Sequence, residues 1–359
     1  MAAFTTIDNP ELYFQAKVYS GSSSDVTVTF DGDENMQPDL VWLQKTSGSG
    51  DPLIYDSIRG INMRLQTSGT DAEVDRSSNN DELKAFNTDG WTLGTFNSNV
   101  TGSGSTCISW NWKAGTAWSN DASATSVGSL DSNGSKNTTS KFSIIKYASS
   151  RTPSSVQTIA HDLGSTPEIL IFKNTAESQN WLVWTKDLDN DNHLNLNTYG
   201  PESTDSGSLN NTAPASTIFT VNGDGRVNST TDGHVIICYA WDSVQGFSKI
   251  GNYIGNENTD GVFVYTGFRP AYLLFKKVTG SNANWQCWDS KRDPHNPMNK
   301  AAHVDADSVS TDQTIDFLSN GFKLRSDQSH LNADGVEFIY MAFAEAPFVN
   351  SEGVPCNAR

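Results

Sequence analysis

The sequence predicts an all-β protein built from three tandem antiparallel β-sandwich units, jelly-roll or lectin-like in character, with little helix. Short runs of Val, Ile, Phe, Tyr and Trp alternate with clusters of Gly, Asn, Asp and Ser, which is typical of strands joined by tight turns. The stretch closest to a helical pattern, Asp81–Phe86, is short. The same order of short sequence words also occurs three times along the chain, which predicts three copies of one unit.

Two strand-like words open each copy. The first is entered through a proline, in Gln37–Lys45, Thr166–Lys173 and Arg269–Lys277. The second is a shorter strand, in Leu53–Ser57, Trp181–Lys186 and Trp285–Ser290. Both words are rich in the β-branched and aromatic residues that favour strands.

Two further words complete each copy. The third is a phenylalanine, a turn and a rising strand, in Phe86–Leu93, Phe219–Gly223 and Phe317–Leu324. The fourth is an apolar closing strand, in Cys107–Trp112, Val235–Trp241 and Phe338–Phe343. Four words in one fixed order indicate an internally triplicated chain.

The spacing of these words predicts the domain organisation. Residues 114–141 are almost entirely Ser, Thr, Asn, Asp, Gly and Ala, which favours a linker or long loop. The short connection after unit 2 predicts fixed contact between units 2 and 3 and a freer unit 1. The predicted segments are an N-terminal docking segment (1–14), unit 1 (15–115), a polar linker or long loop (116–141), unit 2 (142–244), unit 3 (245–348) and a C-terminal tail (349–359).

Charge and composition narrow the classes of partner. The net charge is −17, and an acidic surface repels phosphate backbones and anionic lipid, so we expect neither nucleic-acid nor membrane binding. The first residues lack a basic stretch followed by an apolar core, so we expect no signal peptide and synthesis in a reducing cytosol. Cys107, Cys238 and Cys287 lie singly inside strand words, which predicts small core residues and no disulfide framework.

One acidic run allows a weak metal hypothesis. Asp187, Asp189 and Asp191 alternate like the start of a calcium loop, but Asn192 and Thr198 stand where an EF-hand needs glycine and glutamate. A calcium site of another geometry and a solvated acidic turn both remain open. Otherwise we expect no metal and no cofactor.

The catalytic motifs that can be read from a sequence are missing. The six histidines are scattered, with no paired metal-hydrolase spacing, and neither a Gly-x-Ser-x-Gly elbow nor a phosphate-binding loop occurs. We therefore predict that the protein is not an enzyme.

Five residues are candidates for contact with a partner. Trp118 lies in the polar insertion, outside every repeated word, where its ring can stack on a sugar or dock on a subunit. His295 and Met298 belong to a proline-bounded loop that only unit 3 contains. Asp8 and Phe14 bracket the segment ahead of the first repeat, which is either a docking segment or a frayed terminus.

The repeated words also resemble a domain family of tailed bacteriophages, with many members from marine and cyanobacterial phages. The words that carry the resemblance are Gln37–Trp42, Tyr55–Gly60, Phe86–Trp91, His161–Glu168 and Val264–Pro270, and the ending Met341–Ser351 is similar to the C-terminal end of such proteins. The resemblance covers nearly the whole chain and implies a virion structural protein, often a tail, fibre or other appendage component. It brings no catalytic residues.

The resemblance thus predicts a non-enzymatic component of the virion surface, such as a tail fibre or other adhesion component. Its expected partners are other virion proteins and host surface glycans, and it implies a homo-oligomer, a trimer if the protein forms an appendage. Three alternatives remain: a capsid decoration or head-fibre protein, a carbohydrate-binding module, and a depolymerase of host polysaccharide.

Overall fold

Antiparallel sheets account for nearly all of the regular structure. The structure is a computed structural model that describes residues 5–95, 98–152, 154–310 and 313–357. With 41% strand, 5% helix and several antiparallel sheets, it confirms the predicted all-β sandwich class. No helix in these four ranges is both long enough and apolar enough to cross a membrane.

Unit 1 packs a six-stranded sheet against a three-stranded one. Its elements, after a 3-10 helix at Pro10–Leu12, are β1 (Phe14–Ser20), β2 (Val26–Val28), β3 (Leu40–Lys45), β4 (Leu53–Asp56), β5 (Met63–Gln66), β6 (Val74–Asp75), β7 (Leu83–Phe86), β8 (Trp91–Leu93), α1 (Ser98–Thr101) and β9 (Thr106–Trp112). The large sheet has the order β1-β9-β3-β4-β5-β6, and the small sheet has the order β2-β8-β7.

Unit 2 repeats this plan and extends it. Its elements are β10 (Thr116–Asn120), α2 (Ala122–Thr125), β11 (Ser132–Asn137), β12 (Phe142–Ala148), β13 (Gln157–Ala160), β14 (Ile169–Asn174), β15 (Leu182–Thr185), β16 (Asn192–Asn195), β17 (Ser203–Thr204), α3 (Ser206–Leu209), β18 (Ile218–Val221) and β19 (Val235–Trp241). The large sheet has the order β10-β11-β12-β19-β14-β15-β16-β17, and β13 pairs with β18.

Unit 3 has the same two sheets as unit 1. Its elements are β20 (Ser248–Ile254), β21 (Phe263–Tyr265), β22 (Phe268–Lys277), β23 (Gln286–Asp289), β24 (Ala301–His303), β25 (Val309–Ser310), β26 (Ile315–Leu318), β27 (Gly321–Leu324), α4 (Ser329–Asn332) and β28 (Glu337–Pro347). The sheets have the orders β20-β28-β22-β23-β24-β25 and β21-β27-β26, so the strand order of unit 1 recurs strand for strand.

The segment 116–141, predicted as a linker or loop, is a β-hairpin, so that prediction is wrong. Strand β11 pairs with β12 along its whole length, and β10 pairs with β11. Side chains of this composition carry little strand signal, but an edge strand needs only a neighbour with free backbone groups. The hairpin therefore pairs with the outer edge of β12 in unit 2. The matching strands β1 and β20 are the edge strands of their own sheets.

The third sequence word is shifted in unit 2. Strand β18 pairs with the first strand of its small sheet, as β8 and β27 do. Phe219 therefore takes the place of Trp91 and Phe322, and not that of Phe86 and Phe317, with which the sequence words aligned it.

The central strands of each large sheet are buried on both faces. One face packs on the small sheet of its own unit and forms a private core for each unit. The other face joins a central core to which all three units contribute. This double burial explains why the central strands are continuous apolar runs without polar alternation. The buried aromatic residues of the central core include Phe14, Trp42, Trp110, Trp112, Tyr239, Trp241, Tyr272 and Phe343.

Trp112 lies where the three units meet. Its ring centroid lies 5.9 Å from that of Trp241 in unit 2, and 5.6 and 5.5 Å from those of Tyr272 and Phe343 in unit 3. Aromatic pairs in these edge-on arrangements attract beyond simple area burial. Unit 1 is thus packed against both other units, so the prediction of a freer unit 1 is wrong.

Hydrogen bonds between units repeat in cyclic order. Gln44, Lys173 and Lys276 occupy the same register position on the matching strands β3, β14 and β22. Gln44 donates to the His303 carbonyl of unit 3 at 2.9 Å, Lys173 to the Thr70 carbonyl of unit 1 at 2.7 Å, and Lys276 to the Tyr199 carbonyl of unit 2 at 3.0 Å. The contacts run from unit 1 to 3, from 3 to 2 and from 2 to 1, which is the pattern of a threefold arrangement.

Two ion pairs strengthen these contacts. Asp56 is bound by Arg59 and accepts a hydrogen bond from the Tyr239 hydroxyl of unit 2 at 2.7 Å. Asp289 is bound by Arg292 in the same way and accepts a bond from the Trp110 indole of unit 1 at 3.1 Å. Since these groups are buried and mutually satisfied, they serve the packing of the units.

A tyrosine marks each copy on the matching strands β1, β12 and β20. The hydroxyls of Tyr19, Tyr147 and Tyr253 donate to the backbone carbonyls of Val100, Val227 and Leu331, at 2.9, 2.6 and 2.9 Å. Each bond ties that strand to the segment ahead of the closing strand. The same bond at three matching places shows that the copies share one fold in detail.

Candidate binding surfaces

The N-terminal contact candidates are engaged within the chain. Asp8 accepts hydrogen bonds from the backbone N–H of Ser351, at 2.7 Å, and from its hydroxyl, which lower the pKa of the carboxyl. Phe14 is 2% exposed and its ring stacks on Phe343 at 5.1 Å. The prediction of Phe14 as a docking residue is wrong, because its alternating strand places it on the face turned to the central core.

The two contact candidates in the proline-bounded loop of unit 3 differ in exposure. His295 is exposed, whereas Met298 is fully buried and exchanges two backbone hydrogen bonds with Ile315, at 2.8 and 3.0 Å. Met298 belongs to the private core of unit 3, so its prediction as a contact residue is wrong. An unbranched, flexible side chain of this kind commonly fills an irregular core gap.

Trp118 is half-buried and packs against the private core of unit 2. Its indole nitrogen lies above Gly134, where an added Cβ would come within 3.0 Å of it. Much of the ring is therefore already used for packing the hairpin onto the sheet. Only the remaining part of its surface is left for a partner.

The fold does not gather the predicted acidic run into a metal site. Asp187 pairs with Lys186 at 3.0 Å on the surface, and the backbone carbonyl of Asp189 closes a turn to Asn192. Across the described ranges, no group of three or more His, Cys, Asp or Glu side chains is arranged to hold a metal ion.

Sequence reasoning missed an exposed aromatic pair on unit 3. Phe263 and Tyr265 lie two apart on β21, are 43% and 55% exposed, and point away from the sandwich, while Val264 between them points inward. Register places Thr27 of unit 1 and Thr158 of unit 2 at the position of Phe263. The aromatic pair is thus a feature of unit 3 alone. The sequence signal that could have revealed it is that units 1 and 2 have no aromatic residue at the matching positions.

The surroundings of this pair favour contact with a ligand. The Phe263 ring lies over Gly321, where an added Cβ would come within 3.1 Å of it, and Tyr265 leans over Gly267. Tyr265 also borders a cleft of about 380 Å³ that Gln245, Lys249 and Thr266 help to line. Flat aromatic faces beside hydrogen-bonding side chains can stack on a sugar ring and bind its hydroxyls.

A second cleft lies between units 1 and 3, where the cyclic pattern breaks. At the other two interfaces a backbone bond closes the rim, from Glu73 to Thr175 at 2.9 Å and from Glu202 to Val278 at 2.8 Å. Register makes Val309 and Thr46 the matching residues at the third interface, but in the described chain no bond joins them. A cavity of about 420 Å³ opens between them.

A loop difference accounts for the opening. The loop from Val304 to Val309 is one residue shorter than its counterparts, Thr67–Glu73 and Leu196–Glu202. It therefore reaches less far toward unit 1. The cleft is lined by Val18, Thr46, Ser47, Thr106, Lys291, Arg292, Lys300 and Val309.

Cations surround this interface cleft in a chain whose net charge is −17. Arg292 is neutralised by Asp289, at 2.5 Å, whereas Lys291 and Lys17 share the exposed Asp31, at 3.1 and 3.2 Å. Partial burial alone would raise the pKa of Asp31, but the hydrogen bonds and charges of these two lysines lower it. Lys300 donates to the Arg292 carbonyl at 3.1 Å and has no carboxylate partner among the described residues.

These features define a class: an all-β triple sandwich with one shared core and with clefts on its surface. More particularly, the chain belongs to the family described as "Domain of unknown function (DUF7483)", whose model matches residues 9–347. No curated protein and no solved structure matches it. The match extends across all three sandwiches, so the whole triple unit lies within that one family domain.

Proposed function

We propose that the protein is a non-enzymatic structural component of a bacteriophage particle surface, in a tail fibre or another adhesion appendage. The observation that carries this proposal is the central core, through which three sandwiches form one rigid body. Trp112 of unit 1 touches buried rings of both other units there. A body of this kind transmits force and presents loops in fixed positions, which suits display and attachment.

The resemblance of the repeated words to tailed-phage virion proteins supports the same role. The proposed partners are other virion proteins and host surface glycans, engaged by many copies so that weak contacts add up. We place the protein on the virion surface, and we propose that it assembles as a homo-oligomer, a trimer in an appendage. A capsid decoration or head-fibre position is the alternative placement.

The test is to locate the protein on intact particles. Antibodies against the purified chain are bound to particles and imaged by electron microscopy, with pre-immune antibodies as the control. Label on the tail or its appendages supports the proposal, and label on the head supports the alternative placement. Particles without label, or release of reducing ends from host polysaccharide by the purified chain, would contradict it.

A second candidate function, carbohydrate binding, is favoured by the aromatic pair Phe263 and Tyr265. The chain itself supplies mild substitutions, because unit 2 carries Thr158 and Ala160 at the matching positions. We expect the double variant Phe263→Thr, Tyr265→Ala to lose most glycan-array signals of the native chain.

The matched control is Ile254→Thr, which removes an exposed apolar side chain from the large sheet of the same unit, 52% exposed in the native chain. It should keep the glycan signals. Equal signals in the native chain and the double variant would rule out stacking on this pair.

A further inference from the structure

The cleft between units 1 and 3 has the chemistry of a ligand site. We infer that it binds an anionic saccharide, whose acidic group lies on Lys300 and Lys291 and whose sugar ring lies on Val18 and Val309. The inference rests on the proposed contact with glycans and deepens it, since it names a second surface and the chemical class of the saccharide.

The size and origin of the cleft support a site. A cavity of about 420 Å³ falls in the range of small-molecule pockets. It exists because one loop is a residue short, while backbone bonds close the same place at the two other interfaces. The rigid central core holds both walls in place, so a ligand would bind without reordering them.

The positive charge of the residues that line the cleft favours a negatively charged ligand. Lys300 is exposed and lacks a carboxylate partner in the part of the chain described, and Lys291 shares its only one, Asp31, with Lys17. Asp31 is half in solvent, so an incoming acidic group can compete for Lys291. Charge-assisted hydrogen bonds of this kind are stronger than neutral ones.

The other lining residues favour a saccharide over a simple anion. Thr46 and Ser47 already hydrogen-bond to the Thr106 backbone, at 3.0 and 2.8 Å, which fixes their hydroxyls at the cleft wall. Thr106 is exposed beside them. Val18 is half-buried and Val309 is 38% exposed, so together they offer an apolar surface to the C–H face of a ring. Hydroxyls, apolar contacts and cations together match an acidic sugar.

The experiment measures binding of trigalacturonate by isothermal titration calorimetry, with the neutral galactose trimer and inorganic sulfate as comparison probes. We expect the acidic trimer to bind at least about tenfold more tightly than either probe. Lys300→Gln should weaken trigalacturonate binding about tenfold or more, the usual effect of losing a charge-assisted hydrogen bond. Thr106→Ala should weaken it less.

The control variant is Lys186→Gln, which makes the same charge change at an exposed position of unit 2, away from both clefts, and should alter the affinity by less than about twofold. Circular dichroism checks that each variant keeps its fold. Three results would overturn the inference: no binding of trigalacturonate, binding no tighter than that of sulfate, or equal affinity in the native chain and Lys300→Gln. None of these results depends on where the protein lies in a particle, so the structural role is tested separately.

Discussion

The two buried lysines at the unit interfaces should give the protein a distinctive pH dependence. Lys173 and Lys276 are fully buried, and burial lowers the pKa of each to about 8 from an ordinary 10.5. Unit 1 carries Gln44 at the matching position, so the fold accepts an uncharged amide there. The perturbation is therefore the double variant Lys173→Gln, Lys276→Gln.

The sign follows from proton uptake on unfolding. A lysine with a pKa near 8 when folded and 10.5 when unfolded binds fewer protons in the folded state between these pH values. Stability therefore rises with pH across that window. Linkage gives a gain of about 1.4 kcal/mol per lysine between pH 7 and pH 9, or about 3 kcal/mol for the pair.

Other groups lower the stability of the fold as the pH rises, and their contribution has to be removed by comparing the native chain with the variant. Burial raises the pKa of the thiols of Cys107, Cys238 and Cys287, so these cysteines lose stabilisation as the pH rises through their unfolded value of 9.0. Asp305, whose charge acts on Lys276, has its pKa raised to about 6 by burial and is mostly ionised between pH 7 and pH 9. The informative quantity is thus the difference between the native chain and the variant.

The assay is urea denaturation at pH 7, 8 and 9, with the free energy of unfolding extrapolated to water. We expect the native chain to gain about 3 kcal/mol relative to the double variant over this range. The exposed control Lys186→Gln should follow the native chain. Parallel curves for the native chain and the double variant would refute the depressed pKa values and the electrostatic account of these interfaces.

Three further predictions concern the packing. Trp112→Ala should lower the free energy of unfolding by about 3–5 kcal/mol, because this ring joins all three units. Calorimetry should still show one unfolding transition, and a separate transition for each unit would contradict a shared core. Tyr253→Phe should lower the free energy of unfolding, measured by urea denaturation, by about 1 kcal/mol, because it removes the 2.9 Å hydrogen bond to the Leu331 carbonyl. An unchanged denaturation midpoint would show that this bond does not stabilise the fold. Gly134→Ala places a Cβ 1.8 Å from the Ile144 carbonyl and should cost about 1–3 kcal/mol, whereas Gly200→Ala, with its nearest contact at 3.8 Å, should melt like the native chain.

Much of the fold could be predicted because the signals are local and repeated. The alternation of apolar runs with turn residues gave the all-β class, and the single cysteines in strand words predicted buried thiols, which Cys107, Cys238 and Cys287 are. The hairpin in 116–141 escaped prediction because its strands are mostly polar, with Trp118 as their one large apolar side chain, so a period-two apolar pattern is missing there. The predictions of Met298 and Phe14 as contact residues are wrong because the position of a residue in a loop or near a chain end does not indicate whether its side chain points into the core.

Residue patterns within short stretches of chain predict the all-β class, the repeated unit and most of its strands, because these features depend on neighbours in sequence. How the units meet is visible only in the folded chain, which has one shared core, a cyclic set of contacts, and one interface left open by a loop a single residue shorter. The physical reason is that contacts between units join residues far apart in sequence, such as Trp110 with Asp289, and no local pattern records them. The candidate surfaces follow from the same cause, since the aromatic pair and the interface cleft are places where one unit differs from its copies.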